Sequence, residues 1–460
     1  MLSAISSRIF RFTMIDKLGH IEVKEYDTVT FNKNFEAEDR YCFLDEYSFQ
    51  ELTDFIRSFD DPDVDDVHDF MRLGHKKNVG DTVTFKNYVG VIELPTGLQI
   101  EILPKVKFRT AEEDQTKRIF LDMLRSLDEF PAKVFSTANL RIERMNIYDI
   151  FINIYLQQVR SLLRKGLRSA YINKSENLTR FKGKLLVNQN LKQNYINRQN
   201  FFVSYDNFEL DRPENKLIKA TLLKLKRVAR SYQNSKLCSQ LLTSFDSVNA
   251  STNYDLDFAR VQLDRTMQDY AMLIAWAKVF LYGKNFTTFA GDQSSRALLF
   301  PMEKLFEAYI AKHVQRAFGE DQWEISVQDR RYHLFDRFDG EKAKRFSLRP
   351  DLVLKHPDRG TVILDTKWKR LVDNPKKNFG ISQADMYQMY AYAKKYGTSE
   401  IWLLYPVTDQ IDADRILRFS SEDQVSVSVA FIDLARIEES VEKLMARISQ
   451  HTSSNTLSPT

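Results

Sequence analysis

The sequence predicts a multidomain α+β protein: a β-rich N-terminal domain over residues 1–110, a mainly helical middle region over 111–295, a C-terminal α/β domain over 296–445, and a polar tail at 446–460. Three observations predict it. Near the N-terminus apolar and polar residues alternate, the period of a half-buried strand. In the middle, apolar residues recur every three to four positions, the period of a helix buried on one face. Toward the C-terminus, short apolar runs alternate with helical segments, the pattern of a buried sheet layered with helices. A chain of 460 residues, 43% hydrophobic and 28% charged, suits two to four domains with a sizeable core.

In the first 110 residues, HIEVKEYDTVTF (20–31) and DTVTFKNYVGVIEL (81–94) alternate, and GLQIEILPKV (97–106) follows a Pro-Thr-Gly turn. SFQELTDFIRSF (48–59) is helical, with Phe49, Leu52, Phe55 and Ile56 on one face. The stretch 60–69 carries six Asp. Its spacing is not that of a calcium-binding EF-hand loop and no closing Glu follows, so it reads as a solvated loop. Nothing in these 110 residues offers catalytic chemistry, which makes them a candidate docking device, with a structural cap as the plainer alternative.

The middle region contains helical periods at 111–127, 147–167 and 212–232, the last with Pro213 in its first turn. A short β interruption with basic flanks lies at 177–194. Residues 141–200 hold twelve Lys or Arg against three Asp or Glu, although the whole chain is only +4. Arg164, Lys165, Arg168, Lys182 and Lys184 are therefore candidate phosphate contacts for DNA. The plainer reading of each one is a solvated face.

In the C-terminal domain, 301–318 is a helix with Leu305, Phe306, Tyr309, Ile310 and Val314 inward. Residues 323–328, 346–355 and 361–368 are strands, 382–396 is a helix, and the apolar run 400–407 is a buried strand. The tail is polar and reads as disordered.

Two cysteines far apart, Cys42 and Cys238, fit a reducing compartment and no disulfide framework. No signal peptide or apolar run of membrane-spanning length is evident, so a cytoplasmic protein with no membrane partner is expected. No G-x-x-x-x-G-K-[ST] stretch occurs, so no nucleotide is expected on a phosphate loop of this chain.

The chemistry concentrates in RPDLVLKHPDRGTVILDTKWK, residues 349–369. Asp365 and Lys367 are two apart on a strand and share a face. Antiparallel pairing across the turn at 356–360 brings Asp351 beside Asp365. Two adjacent carboxylates repel unless a cation neutralises them. Mg²⁺ suits such a pair, taking one or two carboxylates plus substrate phosphate oxygens. Lys367 is then placed to orient water or to stabilise charge developing on phosphorus. Glu303 and Glu307, one helical turn apart, precede the pair, and Gln388 and Tyr392 follow it on a helix. The competing reading is an ion-pair network capping a hairpin.

This Pro-Asp…Asp-x-Lys pattern resembles the PD-(D/E)xK nuclease superfamily, and Gln388 with Tyr392 resembles the Gln-x-x-x-Tyr element of RecB-like nucleases. Taken in order, MEKLFEAYI (302–310), RPDLVL (349–354), ILDTKWK (363–369) and DMYQMYAYAKKY (385–396) resemble the McrC family of McrBC-type modification-dependent restriction systems. NYVGVIELPTGLQIEILPKV (87–106) and RPENKLIKATLLKL (212–225) are similar to it too, so the resemblance spans about 80–405. It implies a restriction-endonuclease-like C-terminal domain with Asp351, Asp365 and Lys367 on the catalytic positions. Glu307 falls on the helix glutamate, with Glu303 the alternative, and Gln388 on the downstream glutamine. Asp351, Asp365 and Glu307 become the expected metal ligands. The resemblance further implies an McrB-like AAA+ GTPase ring as partner, docked and stimulated by the N-terminal part of the chain, and double-stranded DNA as substrate. Methylation of that DNA and dimerisation within the complex are further expectations. An adaptor with an inert nuclease fold and a stand-alone RecB-like nuclease are the alternatives.

Overall fold

The computed structural model describes residues 19–35, 41–57, 71–105, 113–127, 145–265, 267–282, 296–318, 322–408 and 411–455. The acidic stretch 60–69 lies outside them. The chain forms two compact units, one of 1–144 with 291–460 and one of 145–290. The predicted mixed α/β class, with several sheets and helices in more than one unit, is what the structure has.

In the first unit the alternating N-terminal segments form two four-stranded sheets. One has the order His20–Lys24, Gln99–Leu103, Tyr88–Glu93, Arg296–Pro301. Its first pair is parallel and the others antiparallel. The fourth strand comes from some 200 residues further along the chain. Its approach requires Gly90, at φ 139°, where a Cβ would collide with the Leu298 carbonyl. The second sheet has the order Tyr41–Phe43, Thr28–Thr30, Gly80–Phe85, Met71–Lys76. Residue 110 is therefore not a boundary between compact units. Alternation identifies strands, but it does not name a partner so distant in the chain.

The same unit holds a six-stranded sheet, in the order Glu324–Val327, Leu352–His356, Gly360–Thr366, Glu400–Pro406, Ser426–Ile432, Leu417–Ser420. Leu352–His356 and Gly360–Thr366 form the expected antiparallel hairpin. The next two pairings are parallel, and Glu400–Pro406 is buried along its whole length. Parallel strands need a crossover. Helix Gln383–Tyr396 supplies one, started by Ser382, whose hydroxyl accepts from the Asp385 N–H, and stopped by Gly397 in the left-handed region. The tail read as disordered is helical over 446–455, as the end of helix Ile437–Asn455. Val441, Leu444 and Ile448, buried on one face, anchor that helix, the last of them within the tail itself.

The unit of 145–290 combines helices with one small sheet. Its helices include Ile147–Lys165, Pro213–Val228, Tyr232–Leu242 and Gln268–Tyr282. The β interruption is larger than the sequence suggested: Ala170–Leu178, Phe201–Glu209 and Lys184–Leu185 form a three-stranded sheet. The long strands mix polar with apolar or aromatic residues and lack the one-sided alternation that marks a strand in sequence.

Candidate active site

The register Leu352↔Leu364, continued by one residue, sets Asp351 level with Asp365 at the hairpin's open end. Thr366 locks this end: its backbone N–H and its hydroxyl both donate to Asp351 Oδ2, each at 2.7 Å. Ile363 and Val353, which share the strand faces of Asp365 and Asp351, belong to a core cluster with Met389 and Tyr392 of helix Gln383–Tyr396. The carboxylates thus end an apolar face, and Asp365 is only 1% exposed.

Around them the structure brings the other predicted residues together. Lys367 Nζ lies 2.5 Å from Asp365 Oδ2 and donates to Gln388 Oε1 at 3.2 Å. Gln388 Nε2 in turn donates to the Tyr392 hydroxyl at 2.8 Å. Glu307, on helix Met302–Phe318, meets Asp351 through a residue the sequence did not single out. Gln328 Nε2 donates to Glu307 Oε1 and, at 3.2 Å, to Asp351 Oδ1. Glu307 is therefore the helix glutamate of the cluster. Glu303 is exposed and acts electrostatically on Glu25 and Tyr26 instead.

The electrostatics follow from burial and like charge. Burial, then the charge of Asp351, pushes the Glu307 carboxyl up to about 8 against the pull of Arg349. Burial and Asp351 also push Asp365 up, with Lys367 opposing. Burial works against the Lys367 ammonium, but the adjacent Asp365 outweighs it and holds that lysine above its ordinary range. Asp351 raises both neighbouring carboxyls, a mutual repulsion that one ammonium does not cancel and that a bound cation would relieve.

Carboxylate oxygens are the donors a hard divalent ion takes, so the chemistry of the set fits Mg²⁺. Among the described residues, however, no three His, Cys, Asp or Glu side chains stand arranged to hold an ion together. The Gln328 amide lies between Glu307 and Asp351, and the Lys367 ammonium lies on Asp365.

Sequence reasoning also missed Trp368, next to Lys367. Its indole N–H lies 3.2 Å from both oxygens of Glu25, and its ring packs on Phe306 at 5.5 Å between centroids. This ties the N-terminal sheet to the acidic hairpin. The five candidate DNA contacts all lie in the unit of 145–290 and come from more than one of its elements. Arg164 and Lys165 close helix Ile147–Lys165, and Lys165 pairs with Asp269 at 2.6 Å. Arg168 follows that helix, Lys182 sits over the Tyr205 ring at 3.9 Å, and Lys184 begins a short strand. All five are exposed.

One family pattern covers the strands and helices that build the acidic cluster, that of a restriction-system component. It is the McrBC 5-methylcytosine restriction system component, matched over residues 83–406, and the chain belongs to that family. In fold, the chain is similar to a chain of the refined half-complex from the tetradecameric assembly of Thermococcus gammatolerans McrB AAA+ hexamers with bound McrC. The identity is 19% and the TM-score 0.67, over 93% of this chain and 100% of that one. A chain of the cryo-EM structure of the Thermococcus gammatolerans McrBC complex matches at 19% identity and TM-score 0.45, over 65% of this chain and 88% of that one. No curated protein matches. Among the described residues no helix is long and apolar enough to cross a membrane.

Proposed function

We propose that this chain is the McrC-type nuclease subunit of a GTP-driven restriction complex, with a PD-(D/E)xK site that cleaves double-stranded DNA using Mg²⁺. The observation that carries this reading is the convergence of Asp351, Asp365, Lys367, Glu307 and Gln388, drawn from the open end of one hairpin and two helices, into one charged cluster around the buried Asp365. An ion-pair cap on a hairpin needs no third carboxylate, whereas here Glu307 joins the pair from a separate helix and is raised to about 8 by burial and by the charge of Asp351.

Asp351, Asp365 and Glu307 would hold the cation. When bound, it supplies positive charge against a phosphodiester and makes water a better nucleophile near neutral pH. Lys367 keeps its proton, so it serves as a fixed positive charge facing the phosphate oxygens and not as a base. Gln388, itself oriented by Tyr392, holds the Lys367 amine in place.

An AAA+ GTPase ring is the proposed partner, since the similar solved chain belongs to an assembly of McrB AAA+ hexamers with bound McrC. Docking through residues 1–110 is best tested by single exposed substitutions such as Tyr47→Ala, 66% exposed. Deleting the segment would strip Arg296–Pro301 of its sheet partner and Trp368 of Glu25.

The decisive experiment compares wild type with Asp351→Ala and Asp365→Ala, each mixed with the partner GTPase, GTP, Mg²⁺ and methylated or unmodified plasmid. Cleavage should vanish in both variants while stimulation of GTP turnover persists. Wild-type cleavage in either variant would overturn the assignment.

A further inference from the structure

We infer that the side-chain amide of Gln328 is a further oxygen donor of the acidic site, turning Oε1 toward a divalent cation held by Glu307 and Asp351. The inference rests on the cation reading of that site. Gln328 directly follows the edge strand Glu324–Val327, and its backbone N–H donates to the Asp351 carbonyl at 2.8 Å. Its backbone is thus fastened to the carboxylate it serves. It also has φ 52°, a left-handed conformation that residues other than Gly seldom adopt and that clusters at functional positions.

The side chain then does something no other neutral group of the site does. Nε2 donates to Glu307 and to Asp351 together, so the amide stands between the two carboxylates. On its other side Oε1 is buried with no hydrogen-bond partner. A cation cannot share the two carboxylates with an N–H directed at the same point. An amide, however, has two ends of nearly equal shape, and a half-turn exchanges a donor for a hard oxygen acceptor. That turn leaves the unpartnered side no worse supplied than before. It converts the group that keeps the carboxylates from forming a ready ligand set into a member of that set.

The test is Mg²⁺ titration by calorimetry on the full chain, with Mn²⁺ as a second probe, for wild type, Gln328→Leu, Gln328→Glu and Asp365→Ala. Gln328→Leu keeps the bulk and removes the oxygen, so affinity should fall about 10-fold or more. Gln328→Glu keeps an oxygen donor and adds charge, so affinity should equal or exceed that of wild type. If the amide acts only as an N–H donor, Gln328→Leu binds as wild type or tighter and Gln328→Glu binds more weakly. Either result overturns the inference. Asp365→Ala separates the two levels: if it too binds as wild type, the cation reading itself has failed, whereas lost binding there with unchanged Gln328→Leu refutes the Gln328 assignment alone. Should the Leu variant not fold, the sign of the Gln328→Glu effect decides.

Discussion

Replacing Glu25 by Gln should remove a pH-dependent loss of stability from the unit that carries the acidic site. Glu25 is 1% exposed, accepts from Trp368 and from the Lys105 N–H, and burial pushes its carboxyl up to about 8. The folded chain therefore keeps a proton there that the unfolded chain releases near 4.5. A raised carboxyl contributes stability that is complete below about 4.5 and is lost as pH rises through about 8. Each tenfold difference in proton affinity is worth about 1.4 kcal/mol, so the full loss is on the order of 4 to 5 kcal/mol. Gln retains the acceptor for the indole and carries no charge. The assay is urea unfolding by tryptophan fluorescence at several pH values from 5 to 8.5. Trp276→Phe is included in both proteins, so that Trp323, Trp368 and Trp402, all in the first unit, report. Glu307 and Asp365 slope the same way, so the informative quantity is the difference between the two proteins. Glu25→Gln should gain on its parent steadily as pH rises, and parallel profiles would refute the buried-carboxyl argument.

Lys367→Ala should lower cleavage by about 10²-fold or more, while Mg²⁺ affinity by calorimetry falls far less than in Asp365→Ala, because an ammonium is not a metal ligand. Gly90→Ala should destabilise the first unit by on the order of 3 kcal/mol, seen in the same urea assay, because its Cβ meets the Leu298 carbonyl of the neighbouring strand. Substituting Arg164, Lys165, Arg168, Lys182 and Lys184 together should weaken DNA binding and flatten its salt dependence, by about 0.9 in slope for each phosphate that is no longer neutralised. An unchanged slope in filter-binding or anisotropy titrations would leave those residues as a solvated face.

Much of this was determined by the sequence alone. Period-two alternation marked the strands at 20–31, 81–94 and 97–106. Helix periodicity marked 301–318 and 382–396. The run 400–407 announced a strand buried on both faces, because no polar residue interrupts its centre. Asp351, Asp365 and Lys367 were legible because a hairpin is a local structure: fourteen residues and a turn suffice to predict which carboxylates stand side by side. Gln388 and Tyr392 were legible because four residues make one helical turn.

What the tertiary structure decided is non-local. Glu303 and Glu307 share a helix face in sequence, and only the packing of that helix brings one of them to Asp351. Gln328 carries no signal of its own, since a single amide after a strand is ordinary until the fold sets it between two carboxylates. Glu25 and Trp368 lie 343 residues apart, and Arg296–Pro301 completes a sheet begun by the first hundred residues. Hydrophobic periodicity reports which face of an element is buried. It carries no information on which distant element covers that face, and in this chain that choice placed the N-terminal sheet against the acidic hairpin.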